Sequence, residues 1–120
     1  MIIKKISNAT DFIGKNVEVI IDRQLGSKHP KWGFVYDLNY GYIENTLSPD
    51  GEELDAYLID KDKPVKRGTG KVIAVIHRTN DNDDKLVVSI DGNDIDDDII
   101  RKLTDFQEKF FKSEIIRIVY

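Results

Sequence analysis

The stretch that organises this chain is NYGYIENTLSPDGEELDAYLID, residues 39–60, which predicts an acidic turn between two short strands. The centre of this stretch, residues 50–55, holds four carboxylates in six positions beside a Pro-Asp-Gly turn. Such a cluster repels itself unless positive charge lies among the oxygens, and hard divalent cations such as Mg²⁺ prefer oxygen ligands. The alternative interpretation is a solvated turn with no ligand.

The composition limits the class of protein. A length of 120 residues suits one domain, residues 1–120, and 40% hydrophobic with 33% charged residues is typical of a soluble globular protein. The net charge of −4 argues against a large nucleic-acid footprint. The chain has no cysteine, no apolar run of membrane length and no signal-peptide core in MIIKKISNATDF, so we expect a cytoplasmic location without a membrane.

Five or more short strands and one late helix are predicted around the acidic turn. Alternating Val17, Val19 and Ile21 indicate a half-buried strand. Runs rich in aromatic or β-branched residues predict further strands at 34–36, 40–43, 55–59, 70–78 and 85–90, with weaker signals at 114–120 and within 1–15, which reads as a strand or a loose apolar arm.

The helix is predicted from apolar residues at spacings of four, four, three and four, namely Ile95, Ile99, Leu103, Phe106 and Phe110. Residues 96–98 are three aspartates in its first turn, where the helix dipole favours anions, so we interpret them as helix-start charges and not as metal ligands. A barrel removes unpaired strand edges. We therefore predict a mainly β (α+β) fold, a small five- to six-stranded, OB-like closed or partly open barrel with one C-terminal helix packed on it.

Carboxylates crowd a second loop at residues 79–84, and one explanation joins the two clusters. If Asp50, Glu52, Asp55 and Asp83 converge in the barrel mouth with Asp22 nearby, two Mg²⁺ ions about 3.5–4 Å apart could activate a water molecule between them.

Cationic and phenolic side chains near these loops suit an anionic substrate. Lys31 and Lys85 would bind its charge, and Tyr36 and Tyr40 would donate hydrogen bonds to it. This combination of metal, lysine and tyrosine is what phosphoryl transfer requires.

The sequence also resembles a known family. Tyr40-Gly41-Tyr42-Ile43, Thr46-Leu47 and Asp50-Gly51-x-x-Leu54-Asp55 resemble the signature of the soluble family I inorganic pyrophosphatases, and Asp83-x-Lys85 before a hydrophobic strand resembles a second motif of that family. The resemblance covers roughly residues 16–112. It implies Mg²⁺-dependent hydrolysis of inorganic diphosphate to two phosphates by two-metal activation of water, with Mn²⁺ as a second metal candidate.

The resemblance implies a role for each matching position. The implied metal ligands are Asp50, Asp55 and Asp83, with Asp22 in an outer shell and Asp81 as a replacement for a loop aspartate. Asp55 bridges two metals and Glu52 helps to activate the water. The implied substrate-binding residues are Lys31, Tyr36, Tyr40, Lys85 and Lys112.

The chain departs from the family pattern in one important way. A hairpin that carries a phosphate-binding arginine is missing between Lys31 and the Tyr40 motif, and Arg23, Lys28 and Arg78 are the candidates to replace that arginine. Glu52 is also one methylene longer than the family aspartate. Activity on pyrophosphate could therefore be slow, or the gap could admit a larger diphosphate.

Two other functions stay open at this point. The barrel could be a catalytically inactive sensor that binds Mg²⁺ and a phosphate-containing ligand. It could also bind single-stranded nucleic acid through Trp32, Tyr36, Tyr40 and Tyr42, although the acidic loops oppose this. We expect a small-molecule diphosphate as the partner and no nucleic acid, and leave a homo-oligomer open. His29 and His77 are expected to have no metal or catalytic role, and Trp32 to pack.

Overall fold

The computed structural model describes residues 6–81 and 83–117. Within these ranges a short 3-10 helix is followed by six strands and one α-helix. The elements are the 3-10 helix Ala9–Phe12, β1 Asn16–Arg23, β2 Asn39–Ile43, β3 Leu54–Leu58, β4 Arg67–Arg78, β5 Asp84–Ser89, α1 Asp97–Glu108 and β6 Ser113–Ile116.

Five strands close into a barrel. Their order is β1-β2-β3-β5-β4, and β1 also pairs with the first half of β4, which completes the ring. Most of these pairs are antiparallel, but β3 and β5 run parallel, with Asp55 opposite Lys85. Strand β6 lies outside the ring and pairs with the second half of β4. The predicted mainly β barrel with one helix is therefore confirmed.

Two apolar clusters lie on opposite faces of the strands. In β3, Leu54, Ala56 and Leu58 point into a cluster that contains residues from all five ring strands, whereas Tyr57 points into a second cluster that includes Ile100 of α1. The first cluster is the barrel interior and the second fills the space between barrel and helix. Since side chains alternate along a strand, Asp55 lies on the same outer face as Tyr57.

The segment 34–36 does not form the predicted strand. Residues 24–38 instead fold back on themselves, with Tyr36 N donating to the Ser27 carbonyl and His29 N donating to the Phe34 carbonyl, both at 2.8 Å. A single β-bridge joins Lys28 and Val35. Gly33 has a φ of 79°, which a side-chain-bearing residue rarely adopts, and it supplies the reversal.

The helix prediction is confirmed, but the predicted stripe is displaced by about one position. Leu103 and Phe106 pack against the outer cluster, while Ile100 is fully buried and Ile99 is 49% exposed. Phe110 lies beyond the end of α1 and is 59% exposed. The reason is that polar residues, which the apolar pattern ignores, occupy much of the face that meets the barrel; the buried polar residues of α1 are Thr104, Gln107 and Glu108.

The two ends of the chain were predicted less well. The 3-10 helix Ala9–Phe12, which Asn8 caps by accepting a hydrogen bond from Thr10 N at 3.3 Å, was not predicted. Of the strand or apolar arm predicted within residues 1–15, residues 1–5 lie outside the described ranges, and Ile6 is in no strand. The predicted last strand is present as Ser113–Ile116, and residues 118–120 also lie outside the described ranges. No helix in the described part of the chain has the length and apolar character needed to span a membrane.

Substituting Gly41 by alanine is expected to destabilise the barrel strongly. A Cβ atom at Gly41 would lie 1.8 Å from the Ile20 carbonyl oxygen, and paired strands cannot move apart without losing hydrogen bonds. We expect a loss of about 3 kcal/mol or more in the free energy of unfolding, measured by urea denaturation. Gly68→Ala is the matched control, because its Cβ would meet only the Leu58 Cδ2 end at 2.6 Å, which can rotate away. Equal losses in both variants would contradict this explanation.

Candidate active site

The two acidic loops meet on the outer face of the barrel. Lys85 Nζ lies 2.5 Å from Asp55 Oδ2 and 2.8 Å from Asp83 Oδ2, and Lys85 is only 2% exposed. Parallel pairing of β3 and β5 brings Asp55 opposite Lys85, and the side-chain alternation turns both away from the barrel interior. The two clusters therefore do converge, but on the helix side of the barrel, and the predicted location in the barrel mouth is wrong.

The donor set at this point suits a hard divalent cation. Two carboxylate oxygens already converge on a positive charge, the Lys85 ammonium, and carboxylate oxygens are the ligands that Mg²⁺ prefers. Within residues 6–81 and 83–117, no three Asp, Glu, His or Cys side chains are close enough together to hold one ion. The arrangement thus brings two carboxylates to one point, where the Lys85 ammonium lies between them.

Asp22 and Asp50, two further predicted metal ligands, interact electrostatically with the Asp55–Lys85 pair. Burial raises the pKa of the Asp22 carboxyl, and the negative charges of Asp55 and Glu53 raise it further. Hydrogen bonding from the Glu52 backbone lowers the pKa of Asp50, and the charge of Lys85 contributes to this lowering. Both carboxylates therefore lie within electrostatic reach of the Asp55–Lys85 pair.

Asp50 also stabilises the acidic turn through hydrogen bonds. Its Oδ1 atom accepts hydrogen bonds from Ser48 Oγ at 2.7 Å and from Glu52 N at 2.9 Å, and Gly51 between them has a φ of 90°. These contacts hold the acidic turn in one conformation. Asp50 and Glu52 are both exposed at the surface of this turn.

Both predicted tyrosines are buried beside the carboxylates. The Tyr40 ring lies 5.7 Å from Lys85 Nζ, and burial together with the charge of Asp55 raises the Tyr40 pKa well above its ordinary value. The Tyr36 hydroxyl donates to Gln107 Oε1 at 3.2 Å, and burial is the main reason that its pKa is raised. The two hydroxyls therefore remain protonated around neutral pH and can donate hydrogen bonds.

A buried ion pair connects this region to α1. Arg78 Nε and Nη2 each lie 2.9 Å from an oxygen of Glu108, and the Tyr57 hydroxyl donates to Glu108 Oε2 at 2.5 Å. Burial opposes the Arg78 charge, but the hydrogen bonds and the charge of Glu108 outweigh it and raise the Arg78 pKa. Arg78 Nη1 also lies 3.4 Å from Asp81 and 3.6 Å from Asp83, so one guanidinium links the helix to the acidic loop.

A cleft of about 520 Å³ opens beside these groups. Its lining comprises His29, Trp32, Phe34, Tyr40, Arg78, Lys85, Gln107, Phe110 and Phe111. Lys31 is not part of this lining, but its Nζ lies 4.8 Å from the ring of Trp32. Lys112 lines a different groove, which it shares with Arg101 and Lys109, so the structure does not bring Lys112 together with Lys85.

Several residues of the site were missed or misinterpreted from the sequence. Among the three candidates to replace the family arginine, Arg78 lines the cleft, whereas the Arg23 guanidinium donates to the Asp22 carbonyl at 3.2 Å. The roles of Gln107 and Glu108 beside the site were not predicted. Their position as two adjacent polar residues next to the apolar stripe of the helix could have indicated that they face the barrel. Trp32, expected to pack, is 68% exposed. His29 organises its loop by accepting hydrogen bonds from two backbone N–H groups at Nδ1.

Comparison with known proteins gives a consistent result. The sequence model of the family described as Pyrophosphatase, inorganic pyrophosphatase, matches residues 8–117. An inorganic pyrophosphatase of Corynebacterium glutamicum is 34% identical over 102 residues, which cover 82% of this chain and 60% of that protein. The chain thus spans about 60% of the length of this curated relative.

Solved structures share the fold. The inorganic pyrophosphatase of Ehrlichia chaffeensis superposes with a TM-score of 0.67 at 18% identity, covering 90% of this chain and 88% of the other. The inorganic pyrophosphatase of Helicobacter pylori superposes with a TM-score of 0.67 at 19% identity, covering 94% of this chain and 89% of the other. The enzyme of Neisseria gonorrhoeae superposes with a TM-score of 0.57 at 26% identity, covering 81% of this chain and 73% of the other.

Removal of the Glu108 carboxylate is expected to cost about 3–5 kcal/mol in the free energy of unfolding, because Glu108→Ala leaves the buried Arg78 charge with weaker partners. Glu18→Ala is the control. Glu18 pairs with Arg67 at 3.7 Å on the exposed surface, and its loss should cost less than about 1 kcal/mol. Urea denaturation of both variants measures the difference, and similar losses would show that the Arg78–Glu108 pair contributes no more than a surface pair.

Proposed function

Since this chain belongs to the inorganic pyrophosphatase family, we propose that it hydrolyses inorganic diphosphate to two phosphates with the help of Mg²⁺, Mn²⁺ being a second metal candidate. The resemblance carried by residues 39–59 is confirmed as family membership. The observation that supports the activity most directly is the meeting of Asp55 and Asp83 around one positive charge.

The carboxylates of Asp55 and Asp83 would hold the metal in this proposal, assisted by Asp50, Asp22 and Asp81. Bound divalent cations lower the pKa of a coordinated water and offset negative charge on phosphate oxygens. Lys85 now neutralises Asp55 and Asp83, and it also lines the cleft. Once released from the carboxylates, its ammonium would bind phosphate oxygens there.

The remaining side chains complete the reaction. Glu52, on the exposed turn, would accept a proton from the attacking water. The water oxygen would form a bond to one phosphorus while the bond from that phosphorus to the bridging oxygen breaks. Protonated Tyr40, which lines the cleft, would donate a hydrogen bond to the substrate, and Tyr36 would do so only after its hydroxyl leaves Gln107. Lys31, beside Trp32, would offset substrate charge, whereas Lys112, in the other groove, has no role in this proposal.

Arg78 is the side chain that this proposal assigns in place of the missing family arginine. It lines the cleft, and its position is fixed by Glu108. However, Glu108 and Asp83 already neutralise part of its charge, so its attraction for phosphate is weaker than that of a free guanidinium. This favours a slower enzyme over an inactive sensor, since one lost charged contact typically costs about 10²–10³ in rate.

Because the chain has no cysteine, a reducing compartment such as the cytoplasm remains our expectation.

Phosphate release from pyrophosphate in the presence of Mg²⁺ tests the activity. Asp55→Asn should lower kcat by about 100-fold or more, because it removes charge from the point where the two acidic loops meet. Asp62→Asn, an exposed acid on the connection between β3 and β4, is the matched control and should retain wild-type kcat. Absence of release at micromolar enzyme, or equal release by Asp55→Asn, would reject the hydrolase.

Metal binding can be measured separately from turnover. Mg²⁺ at 100 times its Kd should raise the free energy of unfolding by about 2.7 kcal/mol, seen as a higher melting temperature relative to KCl of equal ionic strength. Asp83→Asn should show a smaller increase. Stabilisation by Mg²⁺ without any phosphate release would instead support the sensor.

A further inference from the structure

The cleft has an aromatic wall that is chemically unsuited to inorganic diphosphate. Four aromatic side chains of the lining form this wall, namely His29, Trp32, Phe34 and Phe110, while Phe111 packs against Arg78 with its ring centroid 3.6 Å from the guanidinium carbon. Inorganic diphosphate presents only charged oxygens, which gain nothing from an apolar ring surface. The rings therefore require a different explanation from the proposed hydrolysis of diphosphate itself.

These rings form a continuous surface that is partly open to solvent. The centroid of Phe34 lies 4.9 Å from that of His29 and 6.0 Å from that of Phe110, and His29 lies 6.4 Å from Trp32. Trp32 is 68% and Phe110 is 59% exposed. They belong to segments far apart in sequence, the loop before β2 and the residues after α1, so the surface is assembled by the fold. Exposed apolar patches in a cleft are typical of ligand sites.

The same cleft also carries positive charge. Lys85 and Arg78 line it, and the Lys31 ammonium lies 4.8 Å from the ring of Trp32. A volume of about 520 Å³ lies within the roughly 300–1,000 Å³ of small-molecule pockets. The cleft thus matches a ligand that carries both an anionic group and a flat apolar group.

We propose that the cleft takes a nucleoside diphosphate, with its base against Trp32 and Phe110 and its two phosphates toward Lys85 and Arg78. This rests on the proposed diphosphate hydrolysis and extends its substrate class. Water would bond to the terminal phosphorus, the bond from that phosphorus to the bridging oxygen would break, and the products would be a nucleoside monophosphate and phosphate, with one proton released.

The test compares two non-hydrolysable ligands that differ only by the nucleoside. Calorimetric titration of the full chain with Mg²⁺ should give about 10-fold tighter binding, or more, for α,β-methylene-ADP than for methylenediphosphonate, because stacking of a base on aromatic rings is favourable. Trp32 is the only tryptophan of the chain, so quenching of its fluorescence by the nucleotide reports the same contact. Trp32→Ala should bring the ratio of the two affinities close to one, and Trp32→Phe should largely restore it.

Ile99→Ala is the matched control, since Ile99 is 49% exposed on α1 and does not line the cleft; it should keep the wild-type ratio. A wild-type ratio near one overturns the nucleotide proposal but leaves diphosphate hydrolysis standing if pyrophosphate is still cleaved. If the wild-type chain binds neither ligand, the nucleotide proposal is also overturned. If the wild-type chain then fails to cleave pyrophosphate as well, the proposed hydrolase function is overturned with it. A dimer in sedimentation that Trp32→Ala dissociates, combined with a ratio near one, would assign the aromatic wall to a second copy.

Discussion

The parallel pairing of β3 with β5 is the constraint on which the site depends. Parallel strands begin at the same edge of a sheet, so the acidic turn before β3 and the acidic loop before β5 are brought together at that edge. Antiparallel pairing would have separated their first residues by the length of a strand. The resulting crowding of Asp55 and Asp83 is tolerated because Lys85, almost entirely buried, lies between them. A buried ammonium is stable only with such partners.

Paired charges also connect the barrel to the helix α1. Arg78 lies at the end of β4, and its guanidinium contacts Glu108 on α1 while reaching the Asp81–Asp83 loop. Among the described residues, no buried side-chain polar atom lacks a hydrogen-bond partner. A fully satisfied polar network of this kind specifies one position for the helix, since any shift would leave a charge unpaired in a dry environment. The helix therefore supports the site through polar contacts as much as through its apolar face.

The cleft lining combines charged groups with exposed aromatic rings. Lys85 and Arg78 lie close to carboxylates, while Trp32 and Phe110 are exposed to solvent. Exposed tryptophan and phenylalanine side chains would contribute little to binding a small, highly charged anion. The nucleotide proposal depends on this combination of charge and aromatic surface.

The sequence by itself determined the strands of the barrel, the helix and the family. Strand β1 followed from the alternation of Val17, Val19 and Ile21, and the family from the spacing of Asp50, Gly51 and Asp55, because both are local patterns. Only the tertiary structure decided that Asp55 and Lys85 face outward, that Arg78 pairs with Glu108, and that Trp32 is exposed. A two-residue period shows which side chains share a face of a strand, but which face becomes the interior depends on contacts between residues that are distant in the chain.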